Sequence, residues 1–228
     1  MPLPMIHLAV AFELYSGEAA PPAPEFLLGS IAPDAIHMRS GTGRNDKKFT
    51  HLIGEDGRFS ESAVEHFYMN RLYAEERGPV RQFLRGYCAH LLADALWLPN
   101  IFIPFSAKAD AHPSENRSEK EIRALYYKDT DQIDFDMYRQ SSWRPAAWKL
   151  LEQAESPEWA PYLSADEIAR WRRRVIDWFE QPENEPGTTP QFITGAMAAG
   201  FIKEAAAYVA DKFSEWDLRL PESRRMHV

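Results

Sequence analysis

His90 and Asp94 stand four residues apart in the run RQFLRGYCAHLLADALWLPN, and between Gly86 and Leu98 they are the only strongly polar side chains. On a helix that spacing stacks both on one face. A helix that is apolar all round belongs in a core, where an ionised carboxylate is costly unless a cation, a donor network or a metal compensates it. Asp94 therefore needs a partner. Phe83, Tyr87, His90, Asp94 and Trp97 fall on one continuous stripe, which places the polar pair within an inward-facing surface. An isolated HxxxD is more often a hydrogen-bonded structural pair than a ligand pair. Chemistry here depends on whether other segments bring further ligands.

Several segments hold candidates. His7 lies in the first turn of an apolar segment near the chain start, where a partly exposed histidine is the simpler reading. Asp34 follows Pro33 at the end of the apolar stretch 26–31, as a helix N-cap or as a ligand carboxylate held by a stiff turn, with His37 three residues on as its companion. His51 follows the polar, Gly-rich segment SGTGRNDKKF, read as a mobile loop, and is either a ligand or a loop histidine with no task. Lys47, Lys48 and Arg39 are the cations placed to steady an anionic substrate, and His66 is assigned to a surface or boundary role. His112 and Glu115 lie in a long excursion after Pro99 and Pro104. Imidazole and carboxylate without thiolate suit zinc in a catalytic site, and also manganese, iron or cobalt. A carboxylate there can bridge metals or take a proton from an activated water.

The elements that must position these groups are helical. Apolar spacing predicts helices over 6–15, over 62–76 behind the N-cap Ser60, and over 81–98. A helix starts at about 119–127, another covers 143–154, a third follows the Ser164–Glu167 capping box, and a long one runs over 191–216. Ile168, Trp171, Val175 and Phe179 are read as the inner face of the helix after Ser164, and Arg172–Arg174 as its solvated side. No alternating strand pattern survives a count, so the expectation is an all-α, single-domain multi-helix bundle over 1–228 around the buried central helix. The net charge of −8 argues against holding nucleic acid or an anionic membrane through a general basic surface. The chain reads without a signal peptide or a transmembrane segment, and its single Cys88 reads as a core thiol, which together point to the cytoplasm.

Taken in order, four motifs resemble the zinc-dependent phospholipase C family, an all-α hydrolase fold related to single-strand nucleases: the histidine of MPLPMIHL, the Gly-x-x-x-Pro-Asp turn of LLGSIAPDAIH, the Thr-His of KKFTHL, and GYxxHxxxD in GYCAHLLADALW. The resemblance implies that Asp34, His51, His90 and Asp94 hold one zinc, that His7 and a shared carboxylate contribute to a second with help from the chain start, and that Asp34 is the general base. It covers less than half the chain. Where the family continues its central helix with His-Pro, this chain has Leu98-Pro99, and His112 with Glu115 are the only nearby replacements for later ligands, so one or two ions are expected rather than three. The implied activity is metal-dependent hydrolysis of a small phosphate ester, most simply a phosphodiester. The alternative is a non-catalytic metal-binding or structural protein on the same fold.

Overall fold

A 20-residue helix from Gly78 to Trp97 forms the axis around which the other helices pack in this computed structural model, which describes residues 3–110 and 118–222. In chain order the helices are α1 (Pro4–Leu14), α2 (Pro24–Ile31), α3 (Arg44–Thr50), α4 (Glu61–Ala74), α5 (Gly78–Trp97), α6 (Ile103–Asp110), α7 (Glu119–Gln140), α8 (Arg144–Gln153), α9 (Ala165–Trp178) and α10 (Gly195–Arg219). A 3-10 segment, Ala32–Met38, follows α2, and a π turn, Leu98–Phe102, links α5 to α6. Among the described residues the only β pairing is one isolated bridge between Trp159 and Leu163, so the architecture is all-α.

The closest crossing is between α2 and α5, and two glycines permit it. A Cβ on Gly29 would stand 2.1 Å from the Phe83 carbonyl oxygen, and one on Gly86 would stand 2.0 Å from that of Phe26. The two backbones therefore touch, and no larger residue fits at either position. Phe26, Leu27, Leu28, Phe83, Leu84, Tyr87 and Leu91 close over the crossing with no more than 1% exposure. A second apolar cluster, including Ile6, Val10, Trp97, Phe105, Tyr126 and Phe201, joins α1, α5, α6, α7 and α10.

Local signals hold at several ends. Ser60 accepts from the Ala63 amide, and Ser164 and Glu167 cap α9 reciprocally, as their spacing predicts. Ile168, Val175 and Phe179 are buried and Trp171 packs partly buried beside them. Three expectations need correction. Residues 44–50 are not loop but helix α3, started where the Asp46 carboxylate accepts from the Gly43 amide at 2.9 Å. The helix expected to start at Glu119 does so, and it runs on to Gln140 as its inward Asp129, Gln132 and Asp134 bond to segments far along the chain. The excursion after Pro99 contains α6, with Pro104 in its first turn where no amide is needed. The last helix begins at Gly195 under a Thr194 cap, since the Asp129 carboxylate takes the amides of Gln191, Phe192 and Ile193 and holds them in a turn.

The helical run Gly78–Asp110 is, by length and composition alone, long and apolar enough to cross a membrane, and half of its most apolar window is buried inside the protein. It carries Arg81, Arg85, His90 and Asp94.

Candidate metal centre

Four segments converge on one buried cluster. α5 contributes His90 and Asp94, α1 contributes His7, the 3-10 segment contributes Asp34, and the C-cap of α3 is His51. His7, His51 and His90 are exposed by 3%, 2% and 1%. His7 is therefore a core residue and not the partly exposed one that its place near the chain start implies. Its burial has a tertiary cause: the Asp134 carboxylate on α7 accepts from the Met5 amide at 3.1 Å and caps the first turn of α1 from outside.

Hydrogen bonds to the backbone aim the rings. Nδ1 of His90 lies 2.9 Å from the Ser30 carbonyl, and Nδ1 of His51 lies 3.0 Å from the Lys47 carbonyl. A carbonyl only accepts, so both Nδ1 atoms carry the proton and both Nε2 atoms present lone pairs to the cluster. Tyr87 fixes the second ring from behind, its hydroxyl donating to the Thr50 carbonyl at 2.5 Å and tying the end of α3 to α5. His7 stacks on His90 with centroids 3.8 Å apart and planes 11° from parallel.

The distances inside the cluster leave its donor atoms unmatched. Nε2 of His51 is 3.5 Å from Asp34 Oδ1 and 3.6 Å from Asp94 Oδ2. Nε2 of His90 is 3.7 Å from Asp94 Oδ2, and Nε2 of His7 is 3.5 Å from Asp94 Oδ1. All of these exceed the ~2.7–3.2 Å of a nitrogen–oxygen hydrogen bond. The Nε2 atoms of all three histidines, Nδ1 of His7 and Oδ1 of Asp94 are buried with no hydrogen-bond partner. Lone pairs facing carboxylate oxygens repel unless a cation lies between them. Ligands about 2.0–2.1 Å from a tetrahedral metal stand roughly 3.4 Å apart, close to the spacings found. The donor atoms form two overlapping groups, His7–His90–Asp94 and Asp34–His51–His90, each within 4.8 Å of one another.

The charges at the mouth are set by Lys47. Its Nζ donates to Asp34 Oδ1 at 2.8 Å and lies 3.5 Å from His37 Nε2. Burial alone would raise the Asp34 pKa, but Lys47 first and His51 next outweigh it and hold the carboxyl well below the usual carboxylate range. Burial likewise disfavours the Lys47 ammonium, and Asp34 overcomes that to keep it charged. Burial, reinforced by His7, pushes His90 down to about 3, so that its ring is neutral and its lone pair available at neutral pH. His37 is half-exposed beside this pair, 3.7 Å from Asp34 Oδ1 and 5.9 Å from the Trp171 ring, and burial lowers its pKa in spite of Asp34.

Thus the structure brings together His7, Asp34, His51, His90 and Asp94, with Lys47 and His37 at their edge. Lys48 sits on another face of α3, its Nζ 4.0 Å from where a Gly57 Cβ would stand. Arg39 is not free to steady an anion: it donates to both Glu167 oxygens at 2.6 and 3.0 Å and to the Tyr162 carbonyl at 3.0 Å, clamping the 3-10 segment to α9. His66 is exposed on α4, as expected. His112, Glu115 and the chain start, Met1-Pro2, lie outside the described residues. The carbonyls of Ser30 and Lys47 are functional groups that sequence reading missed, because backbone acceptors carry no residue-type signal; the paired glycines, Gly29 and Gly86, were the available trace of the first.

A scan against protein-family models and comparisons with curated proteins and with solved structures find no match for this chain.

Proposed function

We propose that this protein binds one or two zinc ions, or a similar divalent metal such as manganese or iron, in the His7–Asp34–His51–His90–Asp94 cluster and uses them to hydrolyse a small phosphate ester, most simply a phosphodiester. The observation that carries the reading is the set of buried Nε2 atoms facing carboxylate oxygens at 3.5–3.7 Å, with the His51 and His90 tautomers fixed by backbone carbonyls. The donor set of three imidazoles and two carboxylates is one that zinc accepts with a coordination position left for substrate or water. The likeness of the four motifs to the zinc-dependent phospholipase C family supports the same assignment.

Bound there, the metal would polarise a phosphoryl oxygen and lower the pKa of water towards neutrality. The chain's own residues do the rest. Asp34, His51, His90 and Asp94 surround the first position, and His7 extends the set past Asp94. Lys47, kept charged and partly exposed at the mouth, presents a cation to the non-bridging oxygens of a phosphate and offsets the charge that develops on them. Asp34 stays ionised and can accept a proton, although a carboxyl held so far down is a better ligand than base.

The test is elemental analysis of the purified protein and of His90→Ala, followed by turnover of bis(4-nitrophenyl) phosphate after reconstitution with zinc, manganese or iron. The expected result is one or two equivalents of metal in the wild type, none in the variant, and metal-dependent turnover that falls at least tenfold in Lys47→Met. A wild type that holds no metal after reconstitution overturns the site. Metal without turnover of any phosphate ester overturns the hydrolase reading and leaves a metal-binding protein.

A further inference from the structure

A pocket of about 220 Å³ opens directly beside the cluster, with His51 and Asp94 as part of its wall. The rest of the lining is mainly apolar: Ile53, Phe59, Leu91, Ala95, Trp97 and Leu98, with the Gly57 backbone at the edge. Trp97 adds no free donor, since its indole N–H already reaches the Tyr126 hydroxyl at 2.8 Å. From this continuity, and resting on the hydrolase reading above, we infer that the pocket holds a compact apolar organic group of the phosphate ester, such as an aryl or short branched alkyl substituent, while the phosphate lies against the cluster.

Two physical arguments select this class. A sugar or nucleobase placed here would find His51 and Asp94 as its only polar side-chain neighbours in the lining, and both already face the metal position, so its other buried donors and acceptors would go unmatched. The size is also selective: a cavity of about 150 Å³ accommodates benzene, so this one takes a ring with a short substituent and does not enclose a pair of long chains. The geometry is directional, because His51, its side chain exposed by only 2%, belongs to both the pocket wall and the candidate metal set. Specificity then comes from an apolar wall standing at a fixed distance from the phosphate position, and burying a ring against that wall is worth a factor of ten or more in affinity.

The experiment compares phenylphosphonate with methylphosphonate by isothermal titration against the zinc-reconstituted protein, with zinc content measured on each sample. The expected result is phenylphosphonate binding at least tenfold tighter than methylphosphonate. Ala95→Leu, which fills the pocket, should abolish that preference while zinc content stays at the wild-type value. Phe59→Ala, at a partly buried edge position, should lower phenylphosphonate affinity severalfold. Equal affinity of the two phosphonates for the zinc-loaded wild type, or a preference that survives in Ala95→Leu, overturns the inference alone. Failure to retain zinc overturns the hydrolase reading and the inference with it.

Discussion

Two buried polar clusters hang from the same helix, five residues apart, and they differ in one respect. At Arg85 opposite charges meet at hydrogen-bond distance: Nη1 of its guanidinium donates to Asp217 at 2.6 Å and to the Tyr68 hydroxyl at 2.8 Å, Tyr68 donates to Asp217 at 2.7 Å, and the Phe213 ring stacks under the charge at 4.5 Å. At His90 the equivalent distances are 3.5–3.7 Å and like meets like, lone pair against carboxylate. The Arg85 network joins α4, α5 and α10 through matched bonds and leaves one guanidinium nitrogen, Nη2, without a partner. The His90 cluster leaves the Nε2 atoms of three histidines and an Asp94 oxygen unmatched, as a cation site would. Burial of polar groups is common to both, so burial alone does not mark a functional site. The discriminating quantity is whether donors and acceptors match at hydrogen-bond distance.

The largest effect expected is at the His90 cluster. His90→Ala should lower zinc affinity by more than about a hundredfold, beyond the 10–100-fold typical of losing a ligand's supporting partner, and zinc should raise the thermal midpoint of the wild type but not of the variant. Unchanged zinc content, read by elemental analysis, would erase the distinction between the two clusters. At the Arg85 network, Asp217→Ala leaves Arg85 buried without its carboxylate and should destabilise the fold by about 3–5 kcal/mol in urea denaturation, with zinc content untouched. Zinc loss in that variant would show the two regions to be one unit.

Acid sharpens the contrast. The folded protein holds His90 neutral down to about 3, while in the unfolded chain it protonates near 6.5. Between those values the unfolded state binds the extra proton, so the stability of the metal-free protein should fall as pH drops through that window, by up to tenfold in the folding equilibrium per pH unit. The slope should flatten in His90→Ala, and an equally steep profile there would assign it to other groups. The smallest change is expected from replacing the whole Arg85 network at once. Arg85→Met with Asp217→Leu and Tyr68→Phe should restore most of what Asp217→Ala loses, because matched apolar groups of similar volume substitute well for a satisfied ion pair.

The helical class and the central helix were legible because they rest on local pattern: apolar residues at helical spacing in α5, a serine three residues before the first free amide at Ser60 and Ser164. The pairing of His90 with Asp94 was legible for the same reason, since four residues is one helical turn. Much of α7 was not. Its inward face carries Asp129, Gln132 and Asp134, polar residues whose burial follows from partners 53 to 129 residues away in sequence. The same separation hid the burial of His7, which follows from Asp134 capping α1.

Residue types and short spacings thus determined by themselves that this chain is helical, that α5 is its core, and that five imidazole and carboxylate groups have the chemistry to hold a metal. Only the tertiary structure decided that those five meet, that Lys47 rather than Lys48 stands over them, and that an apolar pocket opens at their side. The physical reason is range. Helix formation and capping are settled within one turn of chain, whereas the approach of α2 to α5 through Gly29 and Gly86, the phase of α3 once it winds, and the matching of donors to acceptors depend on backbone positions that no local segment specifies.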